Sequence, residues 1–544
     1  MRALLAALLI AQISETIEVR VTNIDVVVTD RSGHPVTGLT RDDFEIFENG
    51  RPQAVTNFYE VAPESPEQLP VTGSRLPSIT GNGQPATEAR QRRLIIFIDN
   101  YSIHPFQRRK IFESIDRSID TLLRPGDEAS VVVWYRGLKI EQSFTPDAAL
   151  LRKAITRVQE TGGGMTYESD RKHVRERCTQ LFYDAQFSRN YQGAFDQCVS
   201  IVRNHSEEFE GIETHLIASA DVILSTLAGL EGKKVMIYAG AALPKHPARE
   251  LFIFADNLFS PYLRQFRPSA MGNLSASMTV SIEKLAKNAN ANGVTMYMID
   301  GGDETRELMP SAAEQSLPDP GAAFAEYDNT ASAFQAVARI TGGMALTHSA
   351  NFDLAMETIG RDLENYYSLG YRQNEGPKKE RNVVVKVKNR PELRVRARSS
   401  YVARTVDEQL TDRVIANIYH DGKNELGIAV RTGAPKKSSR NRWSIPVEVL
   451  IPPAMFTLLP QDRELIGGFS VFVATGDQDG AMSNVTRIAK EIRIPADRKD
   501  QLLARPISFT ADVTMNGGTH TLSIGVVDQV SNTSGYVRTR VVVH

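Results

Sequence analysis

The chain has 544 residues, too many for one hydrophobic core, so several domains are expected, each long enough to bury a core of its own. Its 63 basic and 65 acidic residues leave a formal net charge of -2, which excludes the electrostatic footprint of a nucleic-acid binder or a polybasic membrane-surface protein.

The N-terminus reads MRALLAALLIAQISET, with Arg2 ahead of the short apolar run Ala3 to Ala11 and small residues at Ala11 and Ser14. This is the plan of a signal peptide over residues 1–14, and no later segment approaches the ~20 apolar residues that a membrane helix needs. The expectation is an exported protein, periplasmic or extracellular, without a transmembrane segment in the mature chain. Residues 15–62 alternate apolar and polar positions and carry Asn49-Gly50, a strong hairpin signal, so they read as a small N-terminal β unit. Residues 63–91 are rich in Pro, Ser, Thr and Gly without periodicity and read as a flexible linker.

From Arg92 the pattern changes. The run LIIFID leads into a helix with Ile111, Ile115, Ile119 and Leu122 on one face, then into the strand and hairpin of EASVVVWYRG and LKIEQSF. A helix marked by Ile212, Leu216, Ala220 and Ile223 precedes KKVMIYAG; IEKLAKNANANG precedes VTMYMID; a further helix around Phe334 to Ile340 precedes MALTH. Strands alternating with helices specify a Rossmann-like parallel sheet with helices on both faces over residues 92–365. Residues 160–210 interrupt that rhythm as a charged, loop-like insertion with both cysteines of the chain, Cys178 and Cys198. In an exported protein this pair is expected as a disulfide, contributing roughly 3 kcal/mol; in a cytosolic one it would be two free thiols. His173 and His205 lie nearby, but without CxxC or HxxxH spacing they do not mark a metal site. Residues 366–404 read as a β-hairpin extension, and residues 405–544, with short strands at regular spacing, as a C-terminal immunoglobulin-like β-sandwich.

Asp99 ends an apolar strand, where open parallel sheets place their ligands. The succession of LIIFIDNYS, a helix, LLRPGDEASVVVW, the glycines Gly162 to Gly164 and a strand ending in Gly240 resembles a von Willebrand factor A domain. The flanks VTDRSGHPVTGLTRDDFEIFENGRPQ and YYSLGYRQ through VRARSSYVA are similar to those of secreted VWFA-related proteins of the acidobacterial type, a resemblance that covers roughly residues 16–404.

The resemblance implies a metal-ion-dependent adhesion site made of a D-x-S-x-S loop, a Thr and a further Asp, since a small hard cation takes about six oxygen ligands. Asp99 matches the first Asp and Thr166 offers the Thr, but Tyr101 and Ile103 replace both serines and Ala239-Gly240 stands where the last Asp belongs. The site is therefore read as degenerate: no cofactor is expected, and Mg²⁺ or Ca²⁺ at Asp99 and Thr166 is the alternative. Recognition of a protein partner then falls to a rim of Asn100, Tyr101, His104, Phe106, Asp300 and Asp303, helped by Tyr167, Phe182, Tyr183, Phe187, Arg189, Tyr191 and Phe195 of the insertion, unless those aromatics form the insertion's own small core. An enzyme is not expected. Position 101 lacks the second Asp of a D-x-D phosphatase, and HExxH, G-x-S-x-G and P-loop patterns are absent. A metal-assisted hydrolase is the weaker alternative to an interaction protein.

Overall fold

The structure, a computed structural model, describes residues 21–62, 91–163, 165–230, 232–241, 243–263, 270–273, 277–302, 320–347, 351–372, 380–402, 404–461, 463–477, 482–498 and 505–543. The expected signal segment, all but one residue of the expected linker, and Asp303 lie outside the described residues. The chain enters through β1 (Val21–Thr29), β2 (Phe44–Glu48), β3 (Arg51–Gln53) and β4 (Val55–Val61). Asn49 and Gly50, both in the left-handed region, make the β2–β3 turn, which is why that dipeptide signals a hairpin.

The central unit follows. It runs β5 (Arg92–Asp99), α1 (Pro105–Leu122), β6 (Glu128–Trp134), β7 (Leu138–Thr145), α2 (Ala148–Glu160), α3 (Met165–Ser188), α4 (Tyr191–Ala228), β8 (Lys233–Gly240) and α5 (Arg249–Phe259). It continues through α6 (Thr279–Ala291), β9 (Val294–Asp300), α7 (Pro320–Thr341), β10 (Ala345–Leu346) and α8 (Phe352–Glu364). The sheet order is β10-β9-β8-β5-β6-β7, parallel throughout except for β7 at one edge. Chain order reverses between β5 and β8, so the crevice of this doubly wound sheet opens beyond Asp99.

Alternate residues of each strand serve opposite faces. Ile95, Phe97 and Met236 pack under Leu216 and Ile223 of α4, Leu285 of α6 and Phe334 of α7. Leu94, Ile96 and Ile98 pack under Ile111 and Ile115 of α1, Leu151 of α2 and Ile359 of α8. Each such side chain taken out of water contributes about 1.5–3 kcal/mol, so the expected two-faced cover is where this unit gets its stability.

The insertion corrects the sequence reading. Residues expected as loop-like form a helical hairpin from α3 and the first half of α4, bridged by Cys178–Cys198 with Cα atoms 5.0 Å apart. Val174, Phe182, Phe195 and Val199 share a core with Leu251, Phe252 and Phe259 of α5. The buried stripe of α3 also includes Arg171, whose Nε lies 3.3 Å from the equally buried Glu250 of α5. A stripe that buries an arginine does not look amphipathic in sequence, which is why the hairpin escaped the periodicity search.

The chain then returns to the strands it began with. β11 (Tyr366–Arg372) lies between β1 and β4, with Ile24 opposite Leu369, and β12 (Glu380–Val387) pairs with β2, with Ile46 opposite Val385. Completed by β13 (Arg394–Ala397) beside β1 and β14 (Ser400–Val402) beside β12, two four-stranded antiparallel sheets close over Ile24, Val26, Phe44, Leu369, Tyr371 and Val385. Residues 15–62 and 366–404, read from sequence as separate flanks, thus supply strands to one sandwich, and the central unit is inserted between them.

Beyond it, α9 (Val406–Tyr419) leads to β15 (Ala429–Thr432), β16 (Lys436–Ser439), β17 (Arg442–Ile451), β18 (Leu459–Gln461) and β19 (Glu464–Asp477). The last strands are β20 (Thr486–Pro495), β21 (Ile507–Asn516), β22 (Gly518–Asp528) and β23 (Ser534–Val543). β15, β16 and β21 pair with β17; β18, β20 and β22 pair with β19, and β23 with β22. These two antiparallel sheets enclose Ile445, Val447, Val471, Leu522 and Ile524. Leu410, Val414 and Ile418 of α9 cover Phe472 and Val527, and His420 Nε2 meets Glu128 of β6 at 2.7 Å, tying this region to the central sheet.

Candidate functional site

Asp99 leaves β5 fully buried and is held by the turn it starts. Its Oδ1 accepts hydrogen bonds from the backbone N–H groups of Tyr101 (3.2 Å) and Ser102 (3.3 Å). Its Oδ2 accepts from the Ser102 hydroxyl and from the Tyr238 phenol at 2.9 Å. Ser102 Oγ accepts in turn from Ala241 N–H at 2.8 Å, so the turn after β5 is laced to the end of β8. Gly240 makes the contact sterically feasible: a Cβ there would fall 2.7 Å from both the Asp99 Cβ and the Tyr238 oxygen. Burial pushes the Asp99 carboxyl up to about 6, against the pull of the Ser102 and Tyr238 hydroxyls.

The neighbouring loop side chains are equally committed. Asn100 Nδ2 donates to the Gly162 carbonyl at 2.7 Å, and its Oδ1 accepts from Arg108 Nε at 3.0 Å. Gly163 packs so closely on Asn100 that a Cβ would lie 2.4 Å from its carbonyl oxygen. His104 caps α1, its Nδ1 accepting from Phe106 N–H at 3.3 Å.

An adhesion-type cation takes carboxylate lone pairs and hydroxyls facing an open position; here four donors of the chain itself engage the Asp99 carboxylate, and Ile103 has a buried aliphatic side chain. Thr166 falls in the first turn of α3, and its side chain is outside the described set. Among the described residues, no three His, Cys, Asp or Glu side chains are grouped to hold a metal.

The expected rim also needs correction. Asn100, Tyr101, His104 and Asp300 are buried, while Phe106 is 59% exposed. Tyr101 was expected to meet a partner; instead its ring is enclosed by Trp134 (5.7 Å, edge-on) and Tyr167 (5.9 Å), with the Arg136 guanidinium 5.4 Å above it. An aromatic next to a buried strand end gains more from that packing than from water. Asp300 Oδ1 accepts from Gly302 N–H at 3.0 Å, an acid that caps its own loop. Within the insertion, Tyr167, Phe182 and Phe195 are buried, and Phe187, Tyr183 and Tyr191 retain exposure.

Two features lay beyond the sequence reading. Glu213 of α4 is fully buried with neither carboxylate oxygen hydrogen-bonded. Burial, with Glu210, Asp99 and Glu250 nearby, pushes its carboxyl well above the usual range. An acid at helical spacing between Phe209 and Leu216 was the available signal. The second feature is a recess of about 240 Å³ between the β6–β7 turn and α4, lined by Trp134, Arg136, Glu208, Gly211, Ile212 and His215. Trp134 is fully buried, and its indole N–H has no hydrogen-bond partner. His215 stands edge-on to it at 6.5 Å. Arg136 holds a left-handed backbone conformation (φ 54°), which is costly for a residue with a side chain.

No family model matches the chain, and no curated protein does. Among solved structures, a von Willebrand factor type A protein from Catenulispora acidiphila is similar over 83% of this chain and 66% of its own, with 11% identity and a TM-score of 0.23. BatB from Bacteroides thetaiotaomicron is similar over 50% of this chain and 96% of its own (9% identity, TM-score 0.22). An aerotolerance-related membrane protein from Bacteroides fragilis is similar over 50% of this chain and 98% of its own (9% identity, TM-score 0.23). Likenesses this slight carry no weight for function, and the architecture rests on the strand order described above.

Proposed function

We propose that the chain is an exported interaction protein whose central unit is a divergent von Willebrand factor A-type domain that engages a protein partner without a metal ion. The observation that carries this reading is the saturation of Asp99: its two oxygens accept four hydrogen bonds from the chain, leaving no lone pair facing outward for a cation. The same seclusion supports a non-catalytic role for this carboxylate, because a general acid or base must reach its substrate. The Cys178–Cys198 disulfide suits an oxidising compartment.

On this reading the partner meets exposed side chains at the strand-end face, Phe106 and Tyr135, of the aromatic kind that anchors interfaces. Capture of envelope proteins by the immobilised full chain should be equal in Mg²⁺ and in EDTA, and should fall when Phe106 and Tyr135 are replaced by Ser. Millimolar Mg²⁺, Mn²⁺ or Ca²⁺ should leave the melting temperature unchanged, since an ion bound only to the folded state would raise it. Metal-dependent capture, or a metal-dependent rise in melting temperature, would replace this reading with the metal-dependent adhesin.

A further inference from the structure

We propose that one end of the C-terminal sandwich, the end that carries the β16–β17 turn, docks on the surface of a bilayer containing anionic phospholipid. The proposal goes beyond the protein-binding reading and does not depend on it. The near-neutral total charge of the chain conceals a local imbalance. Between Glu425 and Glu448 the sequence holds Arg431, Lys436, Lys437, Arg440 and Arg442 and no acid, and residues 513–527 and 529–543 hold no acid either. Acids and bases are almost equal in number over the whole chain, so three acid-free stretches are a departure from its composition, and the fold brings them together.

The turn at Arg440 and Asn441 joins β16 to β17, and Arg442 lies opposite Asn516 at the end of β21. Gly518 at the start of β22 lies opposite Val543 at the end of β23. Gly517 brings the two sheets together here: a Cβ on it would fall 3.4 Å from Asn441 Oδ1 and 3.9 Å from the Val543 carbonyl oxygen. Residues 431–442 are all exposed. In register, Lys436 faces Ser444, Lys437 faces Trp443 and Arg442 faces Asn516, so their cross-strand partners carry no opposing charge. Exposed arginines elsewhere on this sandwich do meet acids: Arg487 lies 2.6 Å from Asp407, and Arg493 2.7 Å from Glu491.

The same end carries apolar surface. Val542 is 44% exposed, and the half-buried Trp443 lies beneath the Lys437 ammonium, which stands 5.7 Å from its ring centre. A Cβ on Gly517 would come within 4.0 Å of the indole nitrogen; Gly517 and Gly518 are both exposed and place no side chain over that edge. Long cationic side chains around an indole and an aliphatic residue match the boundary where lipid headgroups meet acyl chains. The ammonium and guanidinium groups reach phosphate there, while an indole settles at headgroup depth. A soluble acidic polymer would engage the cations and leave Val542 and the indole without a role. Each basic residue held near an anionic leaflet strengthens binding roughly fivefold, so four acting together attach the protein without a membrane-spanning helix.

The test sediments the full chain with vesicles of phosphatidylcholine alone or with about 30% phosphatidylglycerol. The protein should sediment with the anionic vesicles only, and should be released when salt is raised from about 0.1 M to about 0.5 M, which shortens the range of the attraction. The quadruple substitution Lys436→Gln, Lys437→Gln, Arg440→Gln and Arg442→Gln should keep the melting temperature and weaken binding at least about a hundredfold. A second quadruple substitution, Lys110→Gln, Lys153→Gln, Lys284→Gln and Lys287→Gln, removes the same charge from exposed positions on α1, α2 and α6 and should change binding less than about threefold. Phosphatidylglycerol brominated on its acyl chains should quench emission from Trp443 and not from the fully buried Trp134, so the quenching should vanish in Trp443→Phe. The proposal is overturned if the anionic vesicles do not bind, or if the two quadruple variants bind equally well. Quenching that survives Trp443→Phe overturns it too, because another face of the protein would then lie on the bilayer. Binding without quenching overturns it equally, since this end of the sandwich would then hold polyanions in general, an acidic glycan among them. None of these outcomes depends on whether a protein partner is captured.

Discussion

Asp99 and Glu213 are both fully buried acids near the carboxyl end of the central sheet, and the chain around them treats them in opposite ways. Asp99 stands where a strand gives way to a turn, so the next N–H groups are free to point at its carboxylate, and the Ser102 and Tyr238 hydroxyls complete the set. Glu213 stands in the middle of α4, where the helix's own ladder uses the backbone N–H groups, and both its oxygens are left without a partner. Burial raises both carboxyls above their ordinary values, but only for Asp99 do hydrogen bonds to the charged form oppose the shift. The contrast teaches that burial alone does not give an acid its worth; the donors that the local backbone can spare do.

The largest effect should come from breaking the satisfied member. Replacing Asp99 by Ala removes the carboxylate that accepts from the Tyr238 phenol, the Ser102 hydroxyl and the Tyr101 N–H, while Ser102 N–H keeps its 3.3 Å bond to the backbone carbonyl of residue 99; it should cost about 2–4 kcal/mol of stability, read as a fall in the urea midpoint at constant slope. An unchanged midpoint would mean that these donors find other acceptors and that the turn does not need its carboxylate.

Glu213 should respond with the opposite sign. Replacing it by Leu removes a desolvated carboxyl that makes no bonds and keeps a side chain of similar bulk in the stripe with Phe209 and Leu216, so stability should rise by about 1–2 kcal/mol at pH 8. The pH dependence follows from linkage. A carboxyl whose folded value is raised holds its proton in the folded state after the unfolded chain has released it, so stability falls as pH rises between the two values. For Asp99 that window runs from 3.8 to about 6; for Glu213 it begins at 4.5 and extends well above. The difference in stability between the Glu213→Leu variant and the wild type should therefore grow in the variant's favour as pH rises above 4.5. Parallel slopes for the two proteins would show that Glu213 ionises as readily folded as unfolded.

How much of this contrast could be read from the sequence follows from the range of the interactions. The strands and covering helices of the central unit were legible because apolar runs and helical stripes are local patterns. So was the placing of Asp99 at a strand end followed by a turn. Its bond from Tyr238 was not, because the two residues are 139 positions apart. The pairing of Ile24 with Leu369 was hidden for the same reason, and two flanks that make one sandwich read as separate pieces. The hairpin of α3 and α4 was obscured by a different cause, the burial of Arg171 against Glu250. Tyr101 was misplaced because an aromatic residue in a polar loop carries no sign of which rings will close over it.

The smallest effect is also the most discriminating. Replacing Tyr238 by Phe keeps the ring that packs beside Phe97 at 5.8 Å and against Phe334 at 5.6 Å, and removes only the hydroxyl that donates to Asp99 Oδ2. The expected loss is about 1 kcal/mol at pH 8, where the carboxylate is ionised and the bond is charge-assisted. With one donor gone, the Asp99 carboxyl should move further above its present value of about 6, because burial then acts against fewer opposing hydrogen bonds. The loss should shrink at pH 4.5, where the acid in the folded state carries its proton and the phenol faces a neutral partner. Urea midpoints of the wild type and the variant at the two pH values measure this difference directly. An equal loss at both would mean that the Tyr238 hydroxyl is worth as much to the neutral carboxyl as to the ionised one, and that the bond across β5 and β8 owes nothing to the charge on Asp99.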